Sequence, residues 1–306
     1  MTHRGWAVDG VVLGYVALES AVGLSRLPQV PEARWILLAN TLIVALVVLV
    51  RHARTLARQD RLGPLGRSLV ELYPILVLVA SYGALDVLAG RAGIATWDTT
   101  VQRWELALFG EQVSRTWWQR SMSPFWSTLL HAAYLSYYLI VPAGLIWFLW
   151  RDELSNLRRT VFWLAVTFAL CYATFLLFPV AGPNYEFPAP TGRFIENPPA
   201  RLVYGLLAGG SSYGAAFPSS HIAAALVATG AVTLGAPRLG AALVVPTLLL
   251  IVATVYCQMH YAVDAIAGVG VGLGVVLTML LVERRRPGSR QSAAGKERSD
   301  RRYFFG

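Results

Sequence analysis

From Trp126 to Trp150 the chain runs 25 residues without an Asp, Glu, Lys or Arg. Few structures can accommodate such a run. About 20 apolar residues in helical form cross the hydrocarbon core of a bilayer. Inside lipid the backbone must satisfy its own polar groups, which a helix does. Similar runs recur and predict eight spans: Trp6–Leu24, Trp35–Val50, Leu69–Ala89, Trp126–Trp150, Thr160–Phe178, Ser219–Leu234, Ala241–Gln258 and Ala262–Val282. The second and sixth are short. Only 14% of the 306 residues are charged, against about 25% in soluble domains. The reading is an all-α, polytopic membrane bundle of about eight helices. Two helices and a loop occupy 1–68, the main membrane domain 69–282 and a basic tail 283–306. No room remains for a second sizeable soluble domain.

A net charge of +9 raises the question of nucleic acid, but the distribution of the charge assigns it to membrane orientation. One set of alternating segments holds eighteen Lys and Arg: Arg4, the 51–68 loop, the 151–159 loop, Arg238 and the tail. The other set holds eight. The positive-inside rule then places both termini in the cytoplasm. The tail is either a solvated end or a contact for anionic lipid. No nucleic-acid partner is expected; the partner is the bilayer. Cys171 and Cys257 lie in apolar stretches, so neither a disulfide framework nor a cysteine metal site is expected. Glu19 interrupts the first apolar run, which reads as a retained helix and not a signal peptide.

Two segments on the less basic side are long. Residues 90–125 carry Trp97, Val101, Trp104 and Leu108 at helical spacing, which suits a helix lying at the interface. Residues 179–218 are rich in Pro and Gly and end in "FPSSH", Phe217–His221. "CQMHYAVDAIAG", Cys257–Gly268, straddles the turn between the last two spans on the same side. Two histidines distant in sequence therefore meet at one membrane face. His260 and Asp264 are four apart and share a helix face. A carboxylate there accepts the proton of one ring nitrogen, fixes the tautomer and leaves the other nitrogen free to attack. His221 is then placed to act as general acid on a leaving oxygen. Ser219 and Ser220, with the free N–H groups of a helix start, suit a phosphate. Each feature also has a plainer reading. A Ser-Ser pair caps a helix, an interfacial histidine packs, and a His-x3-Asp pair holds a metal.

"FPSSH" and "HYAVDAIAG" (His260–Gly268) resemble the second and third signature motifs of the type 2 phosphatidic-acid phosphatase superfamily. "TVYCQMHYAVDAIAG" (Thr254–Gly268), "HAAYLSYYLIVP" (His131–Pro142) and "LFPVAGP" (Leu177–Pro183) are similar to its inositol phosphorylceramide synthase branch. The resemblance covers roughly residues 70–282. It implies a six-helix catalytic core and a reaction without metal or other cofactor. By the same resemblance His260 is a nucleophile that becomes phosphohistidine, Asp264 orients it, and His221 protonates the leaving group.

The chain also departs from the phosphatase pattern. The first motif's lysine and Arg-Pro pair are absent, the only lysine being Lys296. Where the third motif has Ser-Arg, this chain has Ala253 and Thr254. Arg193 and Arg201 in the Pro/Gly-rich loop are the candidates to offset a phosphate's charge, or else ordinary solvated arginines. Glu19, Asp86, His131, Tyr134 and Tyr138, with Asp98 and Glu105, are candidates to bind hydroxyls of a polyol or headgroup; alternatively Asp86 and His131 pair with each other, and most of the tyrosines pack or anchor at the interface. The expected function is lipid phosphoryl transfer, with a lipid phosphate or phospholipid as substrate. Transfer to an alcohol is the reading the resemblance favours. Hydrolysis of a lipid phosphomonoester is the alternative, and a transporter or scaffold on the same fold is a third.

Overall fold

The computed structural model describes residues 3–58, 63–90 and 93–285. The tail from residue 286, including Lys296, lies outside the described residues. Thirteen α-helices follow in chain order: α1 His3–Arg26, α2 Ala33–Arg58, α3 Pro64–Leu85, α4 Asp98–Phe109, α5 Val113–Arg120, α6 Pro124–Leu135, α7 Tyr137–Trp150, α8 Leu154–Leu177, α9 Pro183–Glu186, α10 Pro198–Gly210, α11 Ser220–Gly235, α12 Pro237–Tyr256 and α13 Ala262–Arg284. Among the described residues the only β-type pairing is a single bridge between Val180 and Ala215. Among the described residues seven segments are long and apolar enough to cross a membrane. The chain is an all-α integral membrane protein.

The expected sixth span, α11, has only 16 residues, or about 24 Å at 1.5 Å per residue, and is not among the seven. It packs against α7, α8, α12 and α13. Its Ala-rich sequence is buried nearly all round, as expected for a helix surrounded by others. Small side chains let four neighbours approach it, so α11 forms the axis of the bundle. The helix α2 runs past the apolar segment to Arg58 because its basic end has partners. Arg51 and Arg54 reach the buried Asp9 of α1 at 3.0 and 2.8 Å, and Tyr73 of α3 donates to the same carboxylate. The span over 124–150 is interrupted at Ser136, whose hydroxyl donates back to the Ala133 carbonyl at 2.6 Å. Such back-bonding bends helices.

At the opposite end from Asp9, the connections form a lid of short helices. The 179–218 segment is tied to itself there: Val180 N donates to Gly214 O at 3.1 Å and Ala216 N to Val180 O at 2.9 Å. These bonds lay Phe217-Pro218, joined by a cis peptide, directly before α11. The expected interfacial helix is α4, but it faces the other way from a simple amphipathic helix. Its buried side carries Asp98, Val101 and Glu105, while Trp97, Trp104 and Leu108 are exposed. Trp97 and Trp104 stack on Phe178, with ring centroids 5.0 and 5.9 Å away. Aromatic rings thus stay exposed, and two carboxylates face the protein.

Candidate active site

Two helix starts meet at the lid end. Ser219 is the N-cap of α11, its hydroxyl accepting from Ile222 N at 3.5 Å. Its own N–H donates to the Asp264 carbonyl at 3.1 Å. The bond stitches the start of α11 to the first turn of α13. The contact demands a glycine at 268, where a Cβ would sit 2.6 Å from the Ser219 carbonyl oxygen. This is why the helix after His260 carries Gly268 on the face turned to α11.

His260 lies in the turn between α12 and α13. Its N–H, with that of Met259, bonds to the Thr254 carbonyl at 3.0 Å. Gln258, two residues earlier, takes the left-handed conformation, φ 58°. Its side chain is gripped at both ends, accepting from Trp118 Nε1 at 2.8 Å and donating to Pro188 O at 3.0 Å. Such a φ is uncommon outside glycine, and nothing in the sequence marked Gln258 for it.

The structure brings His221, His260 and Asp264 together. The two imidazole centroids are 5.8 Å apart. His260 Nδ1 stands 3.6 Å from Asp264 Oδ2, just beyond hydrogen-bond length. Asp264 Oδ2 meanwhile accepts from Tyr261 N at 2.8 Å. His260 Nδ1, Asp264 Oδ1 and His221 Nδ1 are buried without a partner. Burial pushes the pKa of His260 down to about 4, offset in part by a backbone contact with Ala216, so the ring is neutral at ordinary pH. Tyr134 and Tyr137, from the "HAAYLSYYLIVP" stretch, hold the other ring. Tyr134 Oη is 3.4 Å from His221 Nε2, and the Tyr137 ring lies 4.4 Å from the imidazole.

Both histidines and Ser220 line a cavity of about 480 Å³. Its walls are mainly apolar, with tyrosines from α3, α7 and α8 among the aliphatic side chains. Among the described residues no Lys or Arg lines it. Ser219 is fully buried beneath the wall as a cap. Ser220, by contrast, faces the cavity.

The remaining sequence candidates fall elsewhere. Arg193 and Arg201 are exposed and do not line the cavity. In each case a neighbour takes the inward place: Phe194 beside Arg193, Ala200 and Val203 around Arg201. Asp86 and His131 do not pair. Asp86 accepts from Tyr213 N at 3.2 Å, and His131 Nδ1 is 2.7 Å from the Ser127 carbonyl one turn back. Neither lines the cavity.

Asp98 and Glu105, expected as binders of substrate hydroxyls, bind protein backbone instead. Asp98 accepts from Ala181 N at 2.8 Å, Gly182 N at 2.9 Å and Tyr261 Oη at 3.0 Å. Gly182 has φ +95°, the left-handed region that favours glycine. Glu105 accepts from Ala262 N at 2.7 Å and more distantly from Val263 N and Ser114 N. Burial raises its pKa, and these N–H groups pull it back. Among the described residues no three His, Cys, Asp or Glu side chains gather in a metal-binding group.

A neutral, buried imidazole backed by a carboxylate, with a second imidazole opposite it across a cavity, is equipped for nucleophilic and acid–base chemistry. No curated protein and no solved structure matches the chain. The family model of the PAP2 superfamily matches residues 99–278, a stretch containing both histidines, Asp264 and the helices that carry them. The chain thus belongs to the PAP2 superfamily and is an enzyme of its phosphatase and phosphotransferase kind, acting on phosphate-containing substrates.

Proposed function

We propose that the enzyme moves a phosphate-bearing headgroup from a lipid phosphodiester to an alcohol, in the manner of the inositol phosphorylceramide synthases. One observation carries the choice: among the described residues no Lys or Arg lines the cavity beside the histidines. A phosphomonoester is close to a dianion at neutral pH, whereas a phosphodiester carries a single charge. In a low-dielectric site each uncompensated charge is costly. A site with that lining suits the singly charged group. The apolar walls suit a lipid and an alcohol better than a free inorganic ion.

In the reaction as proposed, Asp264 holds Nδ1 of His260 and leaves Nε2 to attack phosphorus. The bond from phosphorus to the departing alcohol oxygen breaks, and His221 gives that oxygen its proton. The product is phosphohistidine, a lipid alcohol and neutral His221. His221 then takes the proton of the incoming alcohol, whose oxygen attacks phosphorus and releases His260. Side chains supply every proton and electron pair in this scheme, so it runs without metal. Water in place of the alcohol gives hydrolysis.

The test uses purified protein in detergent micelles with labelled lipid phosphodiesters and lipid phosphomonoesters, with and without polyols. The expected result is a new labelled phosphodiester that depends on the added alcohol and is absent in His260→Ala. Release of inorganic phosphate from the monoester, with no transfer product from any diester, overturns the transferase reading in favour of the phosphatase. Wild-type turnover by His260→Ala removes the nucleophile assignment itself.

A further inference from the structure

The start of α13 offers more backbone donors than Asp264 can take. The first N–H groups of a helix have no intrahelical acceptor, and left unpaired in a buried place each costs free energy. Asp264 sits in that first turn, where short acidic side chains fold back onto such donors. An Asp264 committed to all of them would have nothing left for His260.

The structure divides the donors between two carboxylates. Asp264 Oδ2 takes Tyr261 N at 2.8 Å. Glu105 reaches across from α4, and its Oε2 takes Ala262 N at 2.7 Å and Val263 N at 3.5 Å. Both carboxylates are fully buried. Glu105 touches neither histidine nor the cavity wall. What remains is an unpartnered acceptor, Asp264 Oδ1, and an unpartnered nitrogen, His260 Nδ1. The two side chains already stand 3.6 Å apart, so a small rotation about the Asp264 side chain brings them to hydrogen-bond length. Asp98, seven residues before Glu105 on the same helix face, fixes the other side of this turn through Tyr261 Oη.

We infer that Glu105 is a positioning residue, which takes the Ala262 and Val263 N–H groups and thereby keeps Asp264 available to orient His260. The inference rests on the roles proposed above for His260 and Asp264. A carboxylate that merely stabilised the helix start would alter melting but not the state of His260, and the experiment separates the two.

Glu105→Gln keeps an oxygen for α13 and gives up only the longer contact with Ser114 N at 3.4 Å. Glu105→Ala keeps no acceptor. Glu105→Asp keeps the charge but is one methylene too short to reach. Full-length protein in micelles is assayed with labelled lipid phosphodiester, and the tautomer of His260 is read by nitrogen-15 NMR of labelled histidine, with Asp264→Asn as reference. In Glu105→Ala and Glu105→Asp, kcat is expected to fall about 10²-fold, the scale of a misplaced reacting group. KM is expected to stay within about threefold, and the Nδ1-protonated tautomer to be lost as in Asp264→Asn. Glu105→Gln is expected to restore both.

Wild-type kcat and tautomer in a folded Glu105→Ala overturn the inference while leaving Asp264 in its role. Should Glu105→Ala not fold, the same result in Glu105→Asp overturns it. An Asp264→Asn protein with unchanged kcat and tautomer removes the orienting role itself, and the inference with it.

Discussion

In the proposed reaction His260 must be neutral to attack, and its surroundings favour that state. The free imidazole titrates near 6.5, but burial moves His260 to about 4. Two consequences follow from the sign of this shift. The acid limb of the kcat/KM profile, where it reports the nucleophile, is expected near pH 4, and an acid limb at 6.5 contradicts the assignment. Stability is linked to the same shift. Between pH 6.5 and 4 the unfolded chain binds the proton more readily than the folded one. The contribution of His260 is therefore fully present above pH 6.5 and fades as pH falls toward 4. Thermal midpoints of wild type and His260→Gln measured across that window should converge toward its acid end. At the same scale, the plainer reading of one serine proved structural: Ser219 caps α11, while only Ser220 faces the cavity. Sequence could not separate two adjacent hydroxyls, because their difference is only the direction in which the helix start points each one.

Among the elements, α11 and α13 set the precision of the site, because both histidines and Asp264 depend on how closely these helices approach. Gly268 and Gly270 provide a test within one helix. A Cβ at 268 meets the Ser219 carbonyl oxygen at 2.6 Å, whereas one at 270 meets nothing within 4 Å. Gly268→Ala is expected to destabilise by about 1–3 kcal/mol through overpacking and to reduce turnover. Gly270→Ala should be neutral or stabilising by up to about 1 kcal/mol, the helix preference for alanine over glycine. Melting curves and activity of both variants check this, and equal effects at the two positions would contradict the packing argument. The α4 helix illustrates how far sequence reaches at this scale. A helix within 90–125 followed from the spacing of Trp97, Val101, Trp104 and Leu108, but the tryptophans face outward and the carboxylates inward. The reason is a buried set of backbone donors at residues 181, 182, 262 and 263, which no local pattern announces.

For the whole molecule, the histidines and the short lid helices share one end, and Asp9, Arg51 and Arg54 lie at the other. From the distribution of charge along the chain and the positive-inside rule we propose that the lid end lies outside the cytoplasm. The proposed orientation is tested with single cysteines in a background lacking Cys171 and Cys257. A cysteine at Gly210, exposed at the lid end, should react with an impermeant thiol reagent in intact cells. One at Arg238, exposed in the first turn of α12, should react only after permeabilisation. The reverse pattern would put the chemistry on the cytoplasmic face.

The all-α membrane architecture was legible in the long apolar runs, which leave a chain in lipid no alternative to helices. His221, His260 and Asp264 stand in short motifs whose spacing is readable from consecutive residues, and the fold brings the three together. Of the two runs that read as short, the second is a full-length apolar helix and the sixth, expected over Ser219–Leu234, is the 16-residue helix Ser220–Gly235. Its shortness makes sense only in three dimensions, where other helices and not lipid surround it. Tertiary structure alone decided which polar groups meet. Arg193 and Arg201 were reasonable candidates for the phosphate's charge, yet their neighbours Phe194, Ala200 and Val203 occupy the inward positions and leave both arginines outside. Glu105 looked like a binder of substrate hydroxyls and instead holds the helix that carries Asp264. The physical reason is one of range. Hydropathy and helical spacing are local and can be read from consecutive residues. A hydrogen bond such as Glu105 to Ala262 joins groups 157 positions apart, and its donor lacks a partner only once the helices have packed.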